Sequence, residues 1–125
     1  MSDYLLTHSA TVLSVTDFSD SLDFYTRKLG FKISYTWNDP VEYAVLKRDE
    51  ISVHLNKKTD DSAPSSVHNA LYIFTNDLES LYQEFLEKDV KIHSPLTQYD
   101  YGMKEFDIMD PEGYILSFGK EMDNE

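Results

Sequence analysis

Two short segments of the sequence carry most of the side chains that could do chemistry. In the segment ISVHLN, apolar residues alternate with polar ones, which predicts a strand with one dry face and one wet face. The wet face carries Ser52, His54 and Asn56. In the segment DPEGYILSFG, a turn runs into an apolar strand with one hydroxyl, that of Ser117. An imidazole and a hydroxyl in such positions can hydrogen-bond a ligand, and the imidazole can also ligate a metal or move a proton.

Motifs for covalent catalysis are absent from the sequence. The chain has no Cys, which excludes disulfides, thiolate metal ligands and a Cys nucleophile. There is no G-x-S-x-G motif, no serine lies beside a histidine in a recognisable catalytic arrangement, and the four glycines form no phosphate-binding loop. We therefore interpret the chain as a binding protein, and an enzyme is the alternative.

Composition narrows the class of partner. The chain has 125 residues, which predicts one domain over residues 1–125 with a sizeable core. Its 23 Asp and Glu against 11 Lys and Arg give a formal net charge of −12, which argues against nucleic acid and favours cationic ligands. The alternative is that the acids only keep the protein in solution. MSDYLLTHS does not resemble a signal peptide and no apolar run could span a membrane, so we expect a cytoplasmic protein with no membrane partner.

The hydrophobic periodicity changes twice in the same order, which indicates an internal duplication. The repeats cover about residues 8–56 and about residues 68–119, and a linker of about residues 57–67 joins them. Helices are predicted after Asp17 and Asp77, because each precedes apolar residues at helical spacing. The predicted strands are Ser9–Val15, Lys32–Trp37, Glu42–Arg48 and Ile51–Asn56 in the first repeat, and Asn69–Thr75, Lys91–Ser94, Met103–Asp107 and Ile115–Gly119 in the second.

Each repeat therefore has the order β-α-β-β-β, and neither could bury both sides of a four-stranded sheet alone. Packed together, the two sheets can curve around a shared concavity while the helices cover the outside. We predict an α+β fold in which two βαβββ repeats form a curved sheet around a central cleft, with the helices outside.

Two motifs of the chain resemble those of the vicinal oxygen chelate superfamily, which includes glyoxalases, ring-cleaving dioxygenases, fosfomycin-type resistance transferases and bleomycin resistance proteins. VTDFSDSLDFYTRKLGF resembles the opening strand and helix of that superfamily. MKEFDIMDPEGYILSFG resembles its closing hairpin, in which DPDG or DPEG separates the last two strands. The resemblance covers nearly the whole chain and implies the duplicated fold.

The resemblance also implies where a metal would bind. Metal-dependent members usually carry His or Glu ligands at four strand positions that face the cleft. The matching positions in this chain are Ala10, His54, Ala70 and Ser117. Only His54 is of ligand type, whereas a divalent metal in this fold needs three or four protein ligands, so we expect no metal and no cofactor. The alternative is a metal site shifted towards the rim, formed by His8, His54 and His68.

Within the superfamily the chain is most similar to the bleomycin resistance proteins, on the segments ISVHL and KEFDIMDPEGYILSF. The resemblance implies a metal-independent homodimer that binds a small aromatic or cationic molecule, with a glycopeptide antibiotic as one option, and acts by sequestration. Two alternatives remain open. One is a metal-dependent glyoxalase-like lyase or thiol transferase, and the other is a structural or regulatory dimer with no small-molecule role.

Strand parity, counted from the ligand positions that the resemblance implies, predicts which side chains line the cleft. Aromatic rings are expected around the opening with carboxylates nearby, which suits a flat cation through stacking and cation–π contact. The predicted ligand-binding residues are Trp37, Tyr43, His54, Tyr72, Tyr101, Phe106 and Ser117. The nearby carboxylates are those of Asp100, Glu105 and Asp107. The alternative is that some of these rings pack in the core or at a dimer contact, and that the acids form only a solvated surface.

Overall fold

The computed structural model describes residues 5–58 and 69–122 of the chain. These residues form two modules with the same element order, so the predicted α+β fold with two βαβββ repeats is confirmed. Each module has one four-stranded mixed sheet. Most of the predicted linker, and the alternative metal ligand His68, lie outside the described residues.

The elements of the first module are β1 (Thr11–Val15), α1 (Phe18–Asp23), a π-helical segment (Phe24–Lys28), β2 (Lys32–Trp37), β3 (Tyr43–Arg48) and β4 (Ile51–Lys57). The strand order is β1-β4-β3-β2, with β1 parallel to β4 and the other neighbours antiparallel. The π-helical segment continues α1 directly, and the sequence pattern does not distinguish it from an ordinary helical turn.

The elements of the second module are β5 (Asn69–Phe74), α2 (Leu78–Glu87), β6 (Ile92–Gln98), β7 (Met103–Met109) and β8 (Ile115–Glu121). The strand order, β5-β8-β7-β6, repeats that of the first module. Strand β6 is longer than predicted because it runs through Pro95. A proline is tolerated there since β6 lies at the edge of the sheet, where a missing N–H group need not break the ladder.

Aspartates begin both helices, as the sequence predicts. Asp17 Oδ1 accepts a 3.0 Å hydrogen bond from the backbone N–H of Asp20, and Asp77 Oδ1 accepts one of 3.2 Å from the backbone N–H of Ser80. The first helix ends before Gly30, whose φ of +78° is a conformation that glycine adopts without strain. None of the helices in residues 5–58 and 69–122 is long and apolar enough to cross a membrane.

Both sheets turn an apolar face towards the helices. Leu13 and Val15 of β1 are buried, as are Leu116 and Phe118 of β8. Helix α2 covers the second sheet through Phe85, whose ring centroid lies 5.3 Å from that of Phe118. One hydrophobic cluster contains buried residues of both modules. The helix-facing sides of the two sheets therefore share a core.

The DPEG turn of the second module is tied to the first module by side-chain hydrogen bonds. The buried carboxylate of Asp110 accepts a 2.8 Å hydrogen bond from the hydroxyl of Tyr25 in the π-helical segment. It also accepts hydrogen bonds of 2.9 Å from the backbone N–H groups of Glu112 and Tyr114, which close the turn. The Glu112 carboxylate accepts 3.0 Å hydrogen bonds from the backbone N–H and the hydroxyl of Thr16. Burial raises the pKa of both Tyr25 and Asp110.

A second junction joins the end of β3 in the first module to helix α2 of the second. Arg48 donates hydrogen bonds of 2.7 and 3.0 Å to the two carboxylate oxygens of Glu84, and one of 2.8 Å to the carbonyl of Leu29. The hydrogen bond from Arg48 lowers the pKa of Glu84. The two side chains are 30% and 33% exposed, so solvent partly screens the pair.

Replacing Tyr25 by Phe should destabilise the fold, because it leaves one oxygen of the buried Asp110 carboxylate without its donor. We expect the free energy of unfolding, measured by urea denaturation, to fall by about 1–3 kcal/mol. Tyr82→Phe is the matched control, because Tyr82 packs through its ring against Phe106. Equal losses in the two variants would contradict the role assigned to the Tyr25 hydroxyl.

The Arg48–Glu84 pair predicts a pH dependence of stability. Because the pKa of Glu84 is lower in the folded chain, the unfolded chain takes up the proton first as the pH falls. The stabilisation is therefore complete well above the ordinary Glu pKa of about 4.3 and is lost as the pH falls through the lower folded-state value. Glu84→Gln should lower the free energy of unfolding by about 0.2–1 kcal/mol at neutral pH and by less in acid.

Glu87→Gln is the control for this comparison, because Glu87 is exposed on the same helix. Denaturation curves of both variants and of the unmodified chain, measured at neutral and acidic pH, give the difference directly. A loss for Glu84→Gln that is the same at both pH values would contradict the assigned cause.

Candidate functional site

The outer face of the first sheet brings aromatic and polar side chains together across three strands. Trp37 of β2 lies opposite Tyr43 of β3, and Tyr43 lies opposite Asn56 of β4. Val45 of β3 pairs with Tyr35 of β2 on one side and with His54 of β4 on the other. Directly paired residues on neighbouring strands point to the same face of a sheet, so these side chains form one continuous surface.

This surface contains a hollow of about 540 Å³, which we call the aromatic hollow. Its lining residues are Ser14, Tyr35, Trp37, Glu42, Tyr43, Asn56, Lys57 and Lys58. The volume lies within the range of small-molecule sites. Tyr35 and Trp37 are 58% and 55% exposed, so both rings are accessible. The charged lining residues are two lysines and one glutamate, so the hollow is not acidic although the net charge of the chain is −12.

His54 is held by a tyrosine of the hollow. Its Nδ1 lies 2.7 Å from the hydroxyl oxygen of Tyr43, and the two rings meet edge to face with centroids 5.5 Å apart. When the hydroxyl donates this hydrogen bond, the neutral imidazole carries its proton on Nε2 and can donate it to another group. Tyr43 therefore connects His54 to the hollow and restricts which nitrogen is free to bind a ligand.

The outer face of the second sheet carries a different arrangement, the phenol–carboxylate cluster of Tyr72, Tyr101 and Glu105. The Tyr72 hydroxyl donates a 2.6 Å hydrogen bond to one oxygen of Glu105, and the Tyr101 hydroxyl donates one of 2.9 Å to the other. Partial desolvation and the hydrogen bond to Glu105 raise the pKa of Tyr101 to about 12 and also raise the pKa of Tyr72. Both phenols therefore stay protonated at neutral pH and continue to donate to the carboxylate.

A glycine makes room for this cluster. Gly119 of β8 lies under the ring of Tyr72, and a Cβ atom at this position would lie 2.8 Å from Tyr72 Cζ. Two more rings extend the surface: Phe74 lies with its centroid 5.0 Å from that of Tyr72, and Tyr99 stacks on Tyr101 at 5.2 Å. Phe74 and Tyr101 are 72% and 65% exposed. The result is a row of accessible rings around one carboxylate.

Ser117 of β8 is buried, and its hydroxyl is hydrogen-bonded to the side chain of Asn69. It is 1% exposed, and its Oγ accepts a hydrogen bond from Nδ2 of Asn69. The pairing of β5 with β8 shifts register between Asn69 and Leu71, and Ala70 packs against the hydrophobic core. Asn69, which the sequence pattern did not single out, therefore lies beside Ser117 where Ala70 was expected. The irregularity depends on how two distant strands pair, so local periodicity carries no signal for it.

Phe106 lies on the helix-facing side of the second sheet. It is 1% exposed, and its ring centroid lies 5.2 Å from that of Phe118 and 6.0 Å from that of Phe85. Its neighbours in β7, Glu105 and Asp107, pair with Gly119 and Ser117 on the other face. The predicted position of Phe106 at the opening is therefore corrected, since the alternation of β7 directs this ring into the core.

The remaining predicted residues fall into two groups. Trp37, Tyr43 and His54 lie on the outer face of the first sheet, whereas Tyr72 and Tyr101 lie on that of the second. Within residues 5–58 and 69–122, no set of three or more His, Asp or Glu side chains is arranged to hold a metal ion.

The family model of the Glyoxalase/Bleomycin resistance protein/Dioxygenase superfamily matches residues 6–118. The match covers most of the chain and agrees with the resemblance of its opening and closing motifs. It does not separate the bleomycin resistance proteins from the other branches. A comparison with curated protein sequences finds no match.

Solved structures of similar fold come from several bacteria. TioX from Micromonospora sp. ML1 superposes with a TM-score of 0.78 at 17% identity and covers 93% of this chain and 99% of its own. A glyoxalase/bleomycin resistance protein/dioxygenase from Alicyclobacillus acidocaldarius has a TM-score of 0.77 at 17% identity, and the match covers 94% of this chain and 92% of that protein. A glyoxalase/bleomycin resistance protein/dioxygenase from Nocardioides superposes with a TM-score of 0.75 at 16% identity, and the match covers 99% of this chain and 89% of that protein. At these identities the likeness establishes the fold alone.

Gly119→Ala should separate Tyr72 from Glu105, because the new methyl group would occupy the space of the phenol ring. The pKa of Tyr72 should then fall towards the ordinary tyrosine value of about 10, because the displaced phenol is better solvated and loses its hydrogen bond to the carboxylate. The measurement is an NMR titration of the tyrosine Cζ resonances. Tyr25 is the internal control, because burial beside Asp110 raises its pKa independently. An unchanged Tyr72 pKa would contradict the close packing on Gly119.

Proposed function

The chain belongs to the Glyoxalase/Bleomycin resistance protein/Dioxygenase superfamily, and we propose that it is a metal-independent protein that binds a small aromatic or cationic molecule and acts by sequestration. A glycopeptide antibiotic of the bleomycin type is one such molecule. We further propose that the chain is a homodimer of the cytoplasm, and the absence of Cys fits a reducing compartment.

The aromatic hollow is the observation that carries this proposal. Tyr35, Trp37 and Tyr43 line a space of about 540 Å³, and the first two rings are more than half exposed. Clustered large rings left open to solvent are typical of surfaces that bind a partner or ligand. Asn56 lines the same space, and His54 is reached through Tyr43, so a few directional polar groups accompany the rings. Flat rings with a few polar groups are the composition of small-molecule sites.

The residues at the implied metal positions support binding without a metal. Among the four positions that the resemblance implies, only His54 carries a side chain of ligand type. Ser117 is buried and accepts a hydrogen bond from Asn69, and Ala70 has no ligating atom in its side chain. A divalent metal in this fold would need at least two further side-chain ligands.

Exposed apolar side chains and an open sheet edge support a homodimer. Val12 of β1 and Ile33 of β2 are 55% and 51% exposed, and β2 is an edge strand of its sheet. A second copy would cover this edge and these apolar side chains. It would also allow the first-module face of one copy and the second-module face of the other to enclose one ligand. Light scattering at micromolar concentration should give about twice the 14.5 kDa mass of the chain, and a monomeric mass would count against the dimer.

Trp37 is the single tryptophan of the chain, so its fluorescence reports on the hollow directly. We expect saturable quenching when chelator-treated protein is titrated with metal-free bleomycin or with an uncharged flat aromatic dye. Calorimetry should show that Trp37→Ala weakens this binding by about 0.5–1.5 kcal/mol, because a stacking partner for the flat part of the ligand is lost.

Leu86→Ala is the matched control, because Leu86 is an exposed apolar residue of α2, away from the hollow. It should leave the affinity unchanged. No quenching by either probe would overturn the proposal and favour a structural or regulatory dimer. Binding that requires an added divalent metal would instead favour the alternative, a glyoxalase-like lyase or thiol transferase.

A further inference from the structure

We propose that the phenol–carboxylate cluster of Tyr72, Tyr101 and Glu105 is a subsite for an alkylated ammonium group. The inference rests on the proposed function, because it assigns the cationic part of the ligand to one of the two outer faces. It places the cation on the second module and not on Trp37, where the net charge and the aromatic content of the sequence directed it.

The carboxylate of Glu105 has a fixed position and an uncompensated charge. Both of its oxygens accept a phenol hydrogen bond, which leaves about two of its four acceptor positions open. Asp107 pairs with Ser117 in the register that places Glu105 opposite Gly119, so it adds a second negative charge to the same face. None of the ion pairs within the described residues involves Glu105 or Asp107. The negative charge of this face therefore favours the binding of a cation.

The rings around the carboxylate are the second, independent feature. Phe74 and Tyr101 are 72% and 65% exposed, and Tyr72 is 37% exposed. Aromatic faces attract cations through the ring quadrupole, most strongly where several rings surround the charge. The two phenols donate hydrogen bonds to Glu105, which shifts electron density towards their oxygens and rings and strengthens that attraction.

The chemistry of the cluster selects the class of cation. A metal ion needs several direct ligands, and no group of three His, Asp or Glu side chains suited to a metal occurs in the described ranges. An alkylated ammonium group has a diffuse charge and apolar methyl or methylene groups. It therefore needs ring faces and a nearby negative potential rather than a full set of ligand atoms.

The aromatic hollow is the weaker competitor for such a cation, although it is also lined by rings. Lys57, Lys58 and Glu42 are the charged residues that line the hollow. The lining of the hollow therefore includes more positive than negative residues, whereas the outer face of the second module carries the carboxylates of Glu105 and Asp107. The two faces therefore differ in charge. The hollow suits the flat, uncharged parts of a ligand, and the phenol–carboxylate cluster suits its ammonium group.

Two probes of equal shape and opposite charge test this assignment. Benzyltrimethylammonium and phenylmethanesulfonate are titrated separately into isotopically labelled protein, and the backbone amide shifts are followed by NMR. The cation should shift the amides of Tyr72, Tyr101, Glu105 and Gly119 in a saturable manner, and the anion should bind there at least about tenfold more weakly.

Glu105→Gln keeps the size and the acceptor atom of the side chain but removes its charge, and it should weaken cation binding by about tenfold. Asp107→Asn provides a second, independent removal of charge from the same face and should weaken binding in the same direction. Glu87→Gln, on the exposed surface of α2, should leave cation binding unchanged. The amide spectrum of each variant reports whether it is folded.

Equal binding of the two probes, unchanged binding in both charge variants, or the largest cation shifts around Trp37 would overturn the inference. The fluorescence of Trp37 in the same samples separates this failure from that of the proposed function. Quenching of Trp37 by the uncharged dye, without binding of the ammonium probe at the cluster, would refute only the subsite. The absence of any binding at either face would refute both.

Discussion

The arrangement of the two modules depends on the buried carboxylate of Asp110. It accepts two hydrogen bonds from the backbone of its own DPEG turn and one from the hydroxyl of Tyr25 in the other module. Removing a carboxylate from water is costly unless its oxygens are paired, so the turn and Tyr25 have to meet in one geometry. Strand β8 begins directly after this turn, and the hydrogen bonds of Asp110 therefore also fix Ser117 and Gly119 relative to the first module.

The second junction repeats this logic with the modules exchanged. In the first junction, Asp110 of the last hairpin turn in the second module binds Tyr25 in the helical segment of the first module. In the second junction, Arg48 at the end of β3 in the first module binds Glu84 on α2 of the second. The duplication thus turns the helix-facing sides of both sheets towards one shared core. The two outer faces are left accessible, one with rings and lysines and the other with phenols and carboxylates.

Much of the fold could be predicted from the sequence because it follows from local periodicity and capping. The strand predicted over Lys32–Trp37 has those bounds in the structure, and Asp17 and Asp77 cap the helices as expected. Phe106 was misplaced although the alternation of MKEFDIM contains the signal, since it sets this ring opposite to Glu105. The shift at Ala70 and the lysines of the hollow could not be predicted, because they depend on strand pairing and on how charges are distributed in space.

The central claim is that the chain holds an intact small molecule without a metal. The most direct measurement loads chelator-treated protein with metal-free bleomycin, determines the metal content of the complex, and weighs the recovered ligand by mass spectrometry. We expect saturable binding without stoichiometric metal and a ligand of unchanged mass. Binding that requires stoichiometric zinc, nickel, manganese or iron and is lost in His54→Ala, or a ligand recovered with an altered mass, would contradict it.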